Sequence, residues 1–384
     1  MNLILDPPTK YVFDSKPEED PFNLIACNPS LVELSIIRLK GNFQDPFWDA
    51  VSKLQNLTTL HLQFINIVPN DTFWTLCTNL ETLRLVGTAF LGDHIVIPDQ
   101  FFPRMRSLSV SNVENLDMMN QVKFLRQCGN IEELTWRGRC SFQAIQEFTQ
   151  DLVQGAWPKL ESFDPGFNIP HPLLAQIFGG MRRITKLFLT RTTIKPSTFQ
   201  YLRPHLDSLV ILDHRGSTGP SSDMLREIMC SCPNLEELRS GSIIANDVFQ
   251  DGPWVCTNLK IIQVCFLFDK SRSNADTHRA IFKRISGLTQ LERLQVGGWS
   301  SGPNIPFQES LDLRLESGLG ELANLKRIKC LDFFHTVQMF GEEDVRWIIS
   351  NWRKLEETLG CVHPNPKERE ILVPLFKERG IKAV

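Results

Sequence analysis

The amino-acid sequence predicts an α/β solenoid (a horseshoe), with parallel strands on the concave side and helices on the convex side. One observation is the block Asn-Leu-Thr-Thr-Leu-His-Leu at residues 56–62, which returns as Asn-Leu-Glu-Thr-Leu-Arg-Leu at 79–85. Another is that similar blocks recur about every 27 residues, a period typical of stacked repeats. The third is helical spacing of apolar residues between the blocks.

Each block follows the pattern L-x-x-L-x-L, in which other apolar residues often replace Leu. The fourth and sixth residues alternate with x, so they share one face of a strand and point inward. Neighbouring repeats must cover that face, because one short strand cannot bury it alone. We place the first apolar positions at Leu31, Leu57, Leu80, Met105, Ile131, Leu160, Ile184, Leu206, Leu235, Leu259, Leu291, Leu325 and Leu355.

The segments between blocks carry helix signals. Asp45-Pro46 is typical of a helix start, and Asn70 with Asp71 can cap a short helix. Longer helices are predicted over 116–127 and 142–153, the second with Phe142 in its apolar stripe. Leu91–Phe102 predicts an irregular connection, and Glu368–Arg379 predicts a last helix. Further predicted caps are Ser197, Ser222 and Asn274.

The repeats span both ends of the sequence, which predicts a single domain over residues 1–384. It would hold about 13 to 14 irregular repeats. Residues 1–30 would form an N-terminal cap region and residues 355–384 a C-terminal one.

Strands stack about 4.8 Å apart, whereas packed helices need roughly 8–10 Å, so the stack is expected to bend with its strands inside. The third, fifth and seventh residues of each block would then line the concave surface.

The net charge of -3 argues against nucleic acid or an anionic membrane as partner. No apolar run reaches the length of a membrane span, and the start does not resemble a signal peptide. Cys77, Cys128, Cys232 and Cys256 each precede a block by three residues, and Cys27 precedes one by four. This spacing favours buried, reduced thiols, and therefore the cytoplasm or nucleus.

The chain shows no catalytic, cofactor-binding or metal-binding motif, so we predict that it is not an enzyme. The pair Cys230 and Cys232 lacks a second pair at zinc spacing, which favours helix-end packing. Cys361 and His363 lack a third, orienting residue, which favours a simple turn. His61 occupies a concave fifth position, where a ligand contact and a solvated side chain both remain open.

Two blocks carry a family resemblance. Cys-Pro-Asn-Leu-Glu-Glu-Leu at 232–238 and Cys-Thr-Asn-Leu-Glu-Thr-Leu at 77–83 resemble the repeats of F-box/leucine-rich-repeat proteins. More broadly, the chain resembles the ribonuclease-inhibitor-like branch of the leucine-rich-repeat superfamily. There is no asparagine ladder after the blocks, and Leu3 already reads as a repeat strand, which leaves no room for an F-box ahead of it.

The resemblance implies a protein-interaction scaffold. One reading is the substrate-recognition part of an SCF-type ubiquitin ligase receptor, which would reach the cullin-ligase adaptor only if an F-box is supplied. The alternative is a free-standing inhibitor or regulator, similar to ribonuclease inhibitor.

The predicted partner is a protein segment on the concave face. The basic positions outnumber the acidic ones there, mainly toward the C-terminal end, which favours an acidic or phosphorylated segment. The alternative is that these are ordinary solvated charges. The candidate binding residues are His61, Arg84, Arg137, Lys186, Phe188, Arg239, Arg293, Arg327 and Lys329.

Overall fold

The computed structural model of the protein divides into two compact units, Met1–Ile184 and Thr185–Val384. The prediction of one continuous domain over residues 1–384, with its two cap regions, stays a prediction. The structure describes residues 2–5, 25–38, 42–43, 45–91, 95–99, 101–190, 192–215, 221–250, 252–269, 275–297 and 309–383.

The first unit alternates strands with helices. Its main sheet is parallel, with strands in the order β1-β2-β4-β6-β8-β9-β10, and β3-β5-β7 form a small parallel sheet. The elements are β1 (Asn2–Leu5), β2 (Glu33–Ile37), β3 (Asn42–Phe43), α1 (Asp45–Ser52), β4 (Thr59–Gln63), β5 (Asn66–Ile67), α2 (Asp71–Cys77), β6 (Thr82–Val86), β7 (Ala89–Phe90), β8 (Ser107–Ser111), α3 (Met118–Arg126), β9 (Glu133–Arg137), α4 (Phe142–Val153), β10 (Ser162–Asp164) and α5 (His171–Gly180).

The second unit has the same construction. Its described strands pair in parallel in chain order, from β11 to β18. The elements are β11 (Lys186–Phe188), α6 (Pro196–Leu202), β12 (Ile211–Asp213), α7 (Ser222–Ser231), β13 (Glu237–Ile244), β14 (Ile261–Leu267), α8 (Ala275–Ser286), β15 (Arg293–Gln295), β16 (Cys330–Val337), α9 (Glu342–Asn351), β17 (Glu357–Cys361), α10 (Pro366–Lys377) and β18 (Lys382–Ala383), with 3₁₀ turns at Arg203–His205, Ala245–Phe249, Leu315–Ser317 and Leu319–Leu322.

These strands confirm the α/β fold built from strand–helix repeats. In β4 and β6 the fourth and sixth block residues are fully buried: Leu60, Leu62, Leu83 and Leu85. The residues between them point to the opposite side of each strand.

Several helix predictions are confirmed. The Asn70 side chain accepts a hydrogen bond from the Phe73 N–H (3.1 Å) and caps α2. Helix α4 has the predicted bounds, but Phe142 is exposed, because it lies in the first turn before the buried stripe begins.

Other helix details are corrected. Ser221 caps α7 in place of Ser222. Helix α6 begins at Pro196 and follows Lys195, so Ser197 is not its cap. The predicted cap Asn274 lies outside the described residues.

A backbone ladder joins successive repeats through the second block position. The Thr58 carbonyl accepts hydrogen bonds from the N–H groups of Glu81 and Thr82, at 2.8 and 3.0 Å. The Glu236 carbonyl does the same for Lys260 and Ile261, at 2.8 and 3.1 Å. This pairing fixes which residue occupies each position of a block, independently of side chains.

The strand pairing corrects two predicted blocks. Lys186, the third residue of its block, pairs with Ile211, so the next block begins at Leu209 and not at Leu206. Arg293 pairs with Cys330, so the following block begins at Ile328 and not at Leu325. Both predicted blocks therefore lie three residues too early.

A row of buried residues explains both errors. The residue three before each first position is buried in many repeats, and at Leu206 and Leu325 it is a leucine that imitates a block start. The members of this row are Leu54, Cys77, Phe102, Cys128, Trp157, Met181, Leu206, Cys232, Cys256, Leu288, Leu325 and Trp352.

The predicted packing role of the cysteines is confirmed at that row. Burial raises the pKa of the Cys77 thiol well above its usual value and that of Cys256 to about 12, as expected for inert thiols. Cys27, which lies one residue earlier in its repeat, is exposed, so the packing prediction is wrong there.

Candidate interaction surface on the strand face

The third, fifth and seventh residues of the blocks form an outward surface in each unit, here called the strand face. In the first unit this surface is rich in short polar side chains, and most of its residues are half-buried. Its polar members are Glu33, Ser35, Thr59, His61, Gln63, Thr82, Arg84, Ser107, Ser109, Ser111, Glu133, Thr135, Arg137, Ser162 and Asp164.

Arg84 is an exposed cation of this surface. It lies on β6 in register with His61 on one side and with Ser109 on the other. Among the described residues, no carboxylate forms an ion pair with its guanidinium. Arg84 therefore presents an uncompensated positive charge among hydroxyl groups.

His61 lies beside Arg84 and within 3.3 Å of the Ser35 hydroxyl through its Nδ1 atom. Burial, followed by the neighbouring Arg84 charge, lowers the pKa of His61, whereas Glu33 opposes the shift. The imidazole is thus neutral at pH 7 and can give or accept one hydrogen bond at each nitrogen.

Arg137 is compensated from the next strand. Its Nε and Nη2 atoms donate to the carboxylate of buried Asp164, with an Nη2–Oδ2 distance of 2.5 Å. Gly166, at φ 55°, lets the arginine stem pass, because a Cβ there would lie 2.2 Å from Arg137 Cγ. Binding through Arg137 would first have to loosen this pair.

The strand face of the second unit carries a larger ion-pair cluster. Asp213 is buried and accepts from Arg215 Nε (2.7 Å) and Nη2 (2.5 Å). Arg239 lies 3.8 Å from the same carboxylate and 2.8 Å from Glu237. The two arginines are therefore neutralised within the unit.

A second cluster lies farther along the same unit. The Arg293 Nη2 atom donates to Glu357 Oε1 at 2.8 Å, across the intervening strand β16. The intervening strand β16 also carries Asp332, two residues beyond the position that pairs with Arg293 and Glu357. The pKa of Asp332 is raised mainly by burial, although the Phe334 N–H (2.9 Å) and the Arg293 charge favour its ionised form. Arg293, like Arg239, already has an acidic partner.

Lys186 and Phe188 occupy the strand face of β11, where both are half-buried. Phe188 pairs in register with Asp213 and Lys186 with Ile211. Both predicted residues therefore lie on the strand face.

Arg327 and Lys329 do not lie on it. They precede β16, because the register of that repeat is shifted by three residues. Lys329 Nζ donates to Glu292 Oε2 at 2.7 Å, and this hydrogen bond raises the pKa of Lys329. Arg327 is exposed. Their assignment to the strand face is wrong.

The predicted basic excess toward the C-terminal end is wrong for the same reason. With the register corrected, the described strand face of the second unit gains Arg215, Asp213 and Asp332. Lys186, Arg215, Arg239 and Arg293 then lie among Asp213, Glu237, Asp332 and Glu357. Beginning the two blocks at Leu209 and at Ile328 would have found Asp213, Arg215 and Asp332 in the sequence.

A metal centre and a membrane-spanning helix are two further features that the described part of the chain lacks. Within it, no three His, Cys, Asp or Glu side chains come together as a metal site would require. None of its helices combines the length and apolarity that crossing a bilayer demands.

Comparison with known proteins gives no family assignment, since no family profile and no curated protein matches the chain. Among solved structures, an internalin from Listeria monocytogenes is similar at 14% identity and a TM-score of 0.43, over 92% of this chain and 86% of that one. A leucine-rich-repeat protein from Leptospira interrogans is similar at 13% identity and a TM-score of 0.38, over 94% and 92%. The fold assignment therefore rests on the strand pairing of the chain itself.

Proposed function

We propose that the protein is a protein-interaction scaffold, and that the strand face of its first unit binds an acidic or phosphorylated segment at Arg84. The observation that carries this proposal is the exposed Arg84 guanidinium, which has no carboxylate partner among the described residues. Arg239 and Arg293 are occupied by carboxylates and would have to exchange them before binding a new anion.

The neighbours of Arg84 suit such a segment. A guanidinium presents a planar fork that matches carboxylate and phosphate groups. Ser109 and His61, on the adjacent strands, supply short polar groups that can complete the hydrogen bonding. A desolvated charge-assisted bond is worth roughly 1.5–3 kcal/mol, against about 0–1 kcal/mol for a screened surface pair.

Arg84→Glu tests this proposal against Arg327→Glu, a matched exchange at an exposed arginine outside the strand face. Immobilised full-length chains would capture partners from cell extract at low salt, with quantitative mass spectrometry as the readout. We expect about tenfold weaker capture of the same partner by Arg84→Glu, and no change for Arg327→Glu. Equal capture by both variants, with unchanged melting curves, would contradict a site at Arg84.

The resemblance to F-box/leucine-rich-repeat proteins favours one form of this role, the substrate-recognition part of an SCF-type ubiquitin ligase. Residues 232–238, Cys-Pro-Asn-Leu-Glu-Glu-Leu, carry the resemblance. The alternative is a free-standing inhibitor or regulator of another protein. Co-precipitation of the cullin adaptor with the full chain would support the first role, and capture of a partner without the adaptor would support the second. The free thiols of all ten cysteines support the cytoplasm or nucleus as the compartment.

A further inference from the structure

The pairing of β16 with β17 is interrupted near its end. Asp332 pairs with Leu359, but the next pair is Val337 with Cys361, so the β16 strand bulges between them. His335 lies in the bulge with φ 65°, a left-handed conformation that costs a non-glycine residue about 1–2 kcal/mol. The Thr336 hydroxyl donates to the Phe333 carbonyl at 2.7 Å and holds the bulge in place. Bulges and strained residues of this kind cluster beside functional sites.

The bulge borders a cavity of about 450 Å³ between β16, β17 and α10. Its volume falls within the range of small-molecule sites, roughly 300–1,000 Å³. The lining is largely apolar and includes Phe334, Val362, Val373 and Ala383. Phe334 is 54% exposed and is not covered by the core.

Arg369, on α10, also lines the cavity. Its Nη1 atom donates to the His363 carbonyl (3.3 Å) and contacts Cys361 Sγ (3.6 Å), and neither group is a carboxylate. Within the described ranges, no carboxylate forms an ion pair with this half-buried guanidinium. A cation beside an apolar wall attracts an anion more strongly than one in open solvent, because the surroundings screen less.

We propose that this cavity binds a small organic carboxylate with an apolar body. The carboxylate would pair with the Arg369 guanidinium, and the body would lie against Phe334, Val362 and Val373. The charge without a counter-ion accounts for the acid group, and the apolar lining accounts for the body. This site is separate from the one proposed at Arg84 and does not depend on it.

Octanoate and its neutral analogue octanamide test the proposal by calorimetry on the full chain at low salt. We expect octanoate to bind, and Arg369→Met to weaken its binding at least tenfold while octanamide binding stays the same. Lys367→Met, which removes an exposed charge from the same helix outside the cavity lining, should leave octanoate binding unchanged.

Val373→Trp separates the cavity from general apolar adsorption, because the larger side chain fills the space. It should abolish binding of both octanoate and octanamide while the melting curve shows a folded chain. Failure of the unaltered chain to bind octanoate would overturn the proposal. Equal octanoate affinity in Arg369→Met, or undiminished binding in folded Val373→Trp, would overturn it as well.

Discussion

Arginine at the fifth block position has opposite surroundings in the two units. In the first unit, Arg84 lies between His61 and Ser109 and stays exposed without an acidic partner among the described residues. In the second unit, Arg239 lies beside Asp213, and both belong to a cluster of ion pairs. The same fifth block position therefore gives an available charge in one unit and a structural charge in the other. The acidic residues around the arginine, on its own strand and on the adjacent one, make the difference.

The largest expected difference concerns stability. Asp213→Ala should lower the free energy of unfolding by about 2–3 kcal/mol, because it strips a buried carboxylate from Arg215 and Arg239, which are only partly solvated. Arg84→Ala should change it by about 0.5 kcal/mol or less. Urea unfolding at pH 7 measures both, and similar losses in the two variants would abolish the comparison.

The ion pair between Arg137 and Asp164 in the first unit depends on Gly166. Gly166→Ala should lower the free energy of unfolding by about 2 kcal/mol, because φ is 55° and the new Cβ would collide with Arg137 Cγ. Gly155→Ala is the matched control, since φ is 85° there and no atom lies within 4 Å of the new Cβ. Gly155→Ala should lower the free energy of unfolding by about 1 kcal/mol. Equal losses by urea unfolding would show that the arginine stem exerts no constraint.

The third prediction concerns the buried acid of the second unit. Burial raises the pKa of Asp332 above its ordinary value of 3.8, so the folded state holds this proton more tightly than the unfolded state. The stability it contributes is complete below 3.8 and is lost as the pH rises through the folded-state pKa. Asp332→Asn should reduce that loss. Unfolding curves between pH 4 and 7 that run parallel for both proteins would refute the effect.

The smallest effect is expected at His61. Its pKa lies below the ordinary 6.5, so the stability linked to the neutral ring is lost as the pH falls from 6.5 through the folded-state pKa. Arg84→Ala removes one cause of the lowered pKa and should move the pKa of His61 back toward 6.5. An NMR titration of the imidazole measures the shift, and an unchanged midpoint would show that the Arg84 charge does not contribute to it.

Sequence reasoning recovers the repeats where apolar spacing is unambiguous. Residues 57–62 and 80–85 include most of β4 and β6, because their leucines fall only in the L-x-x-L-x-L frame. Around Leu206 and Leu325 apolar residues recur every three positions, so a block could begin at either of two places three residues apart. Only the strand pairing shows which start is correct.

The two candidate sites differ in how far the sequence could reveal them. Arg84 was predicted, because a fifth position in an unambiguous block points outward. Its lack of an ion pair could not be predicted, since this depends on the strands at its sides. Arg369 was missed altogether, because its importance arises from the bulge at His335, which breaks the repeat pattern.

The carbonyl ladder at the second block position has a consequence for how such a chain can diversify. The interval from Leu57 to Leu80 is 23 residues and that from Leu291 to Ile328 is 37. Yet the Thr58 and Glu292 carbonyls each accept the same two hydrogen bonds from the next repeat. Because this junction uses only backbone atoms, a connector can lengthen or change composition without moving the strands that flank it. New loops, and the surfaces they bring, can therefore be added by insertion while the inherited frame stays intact.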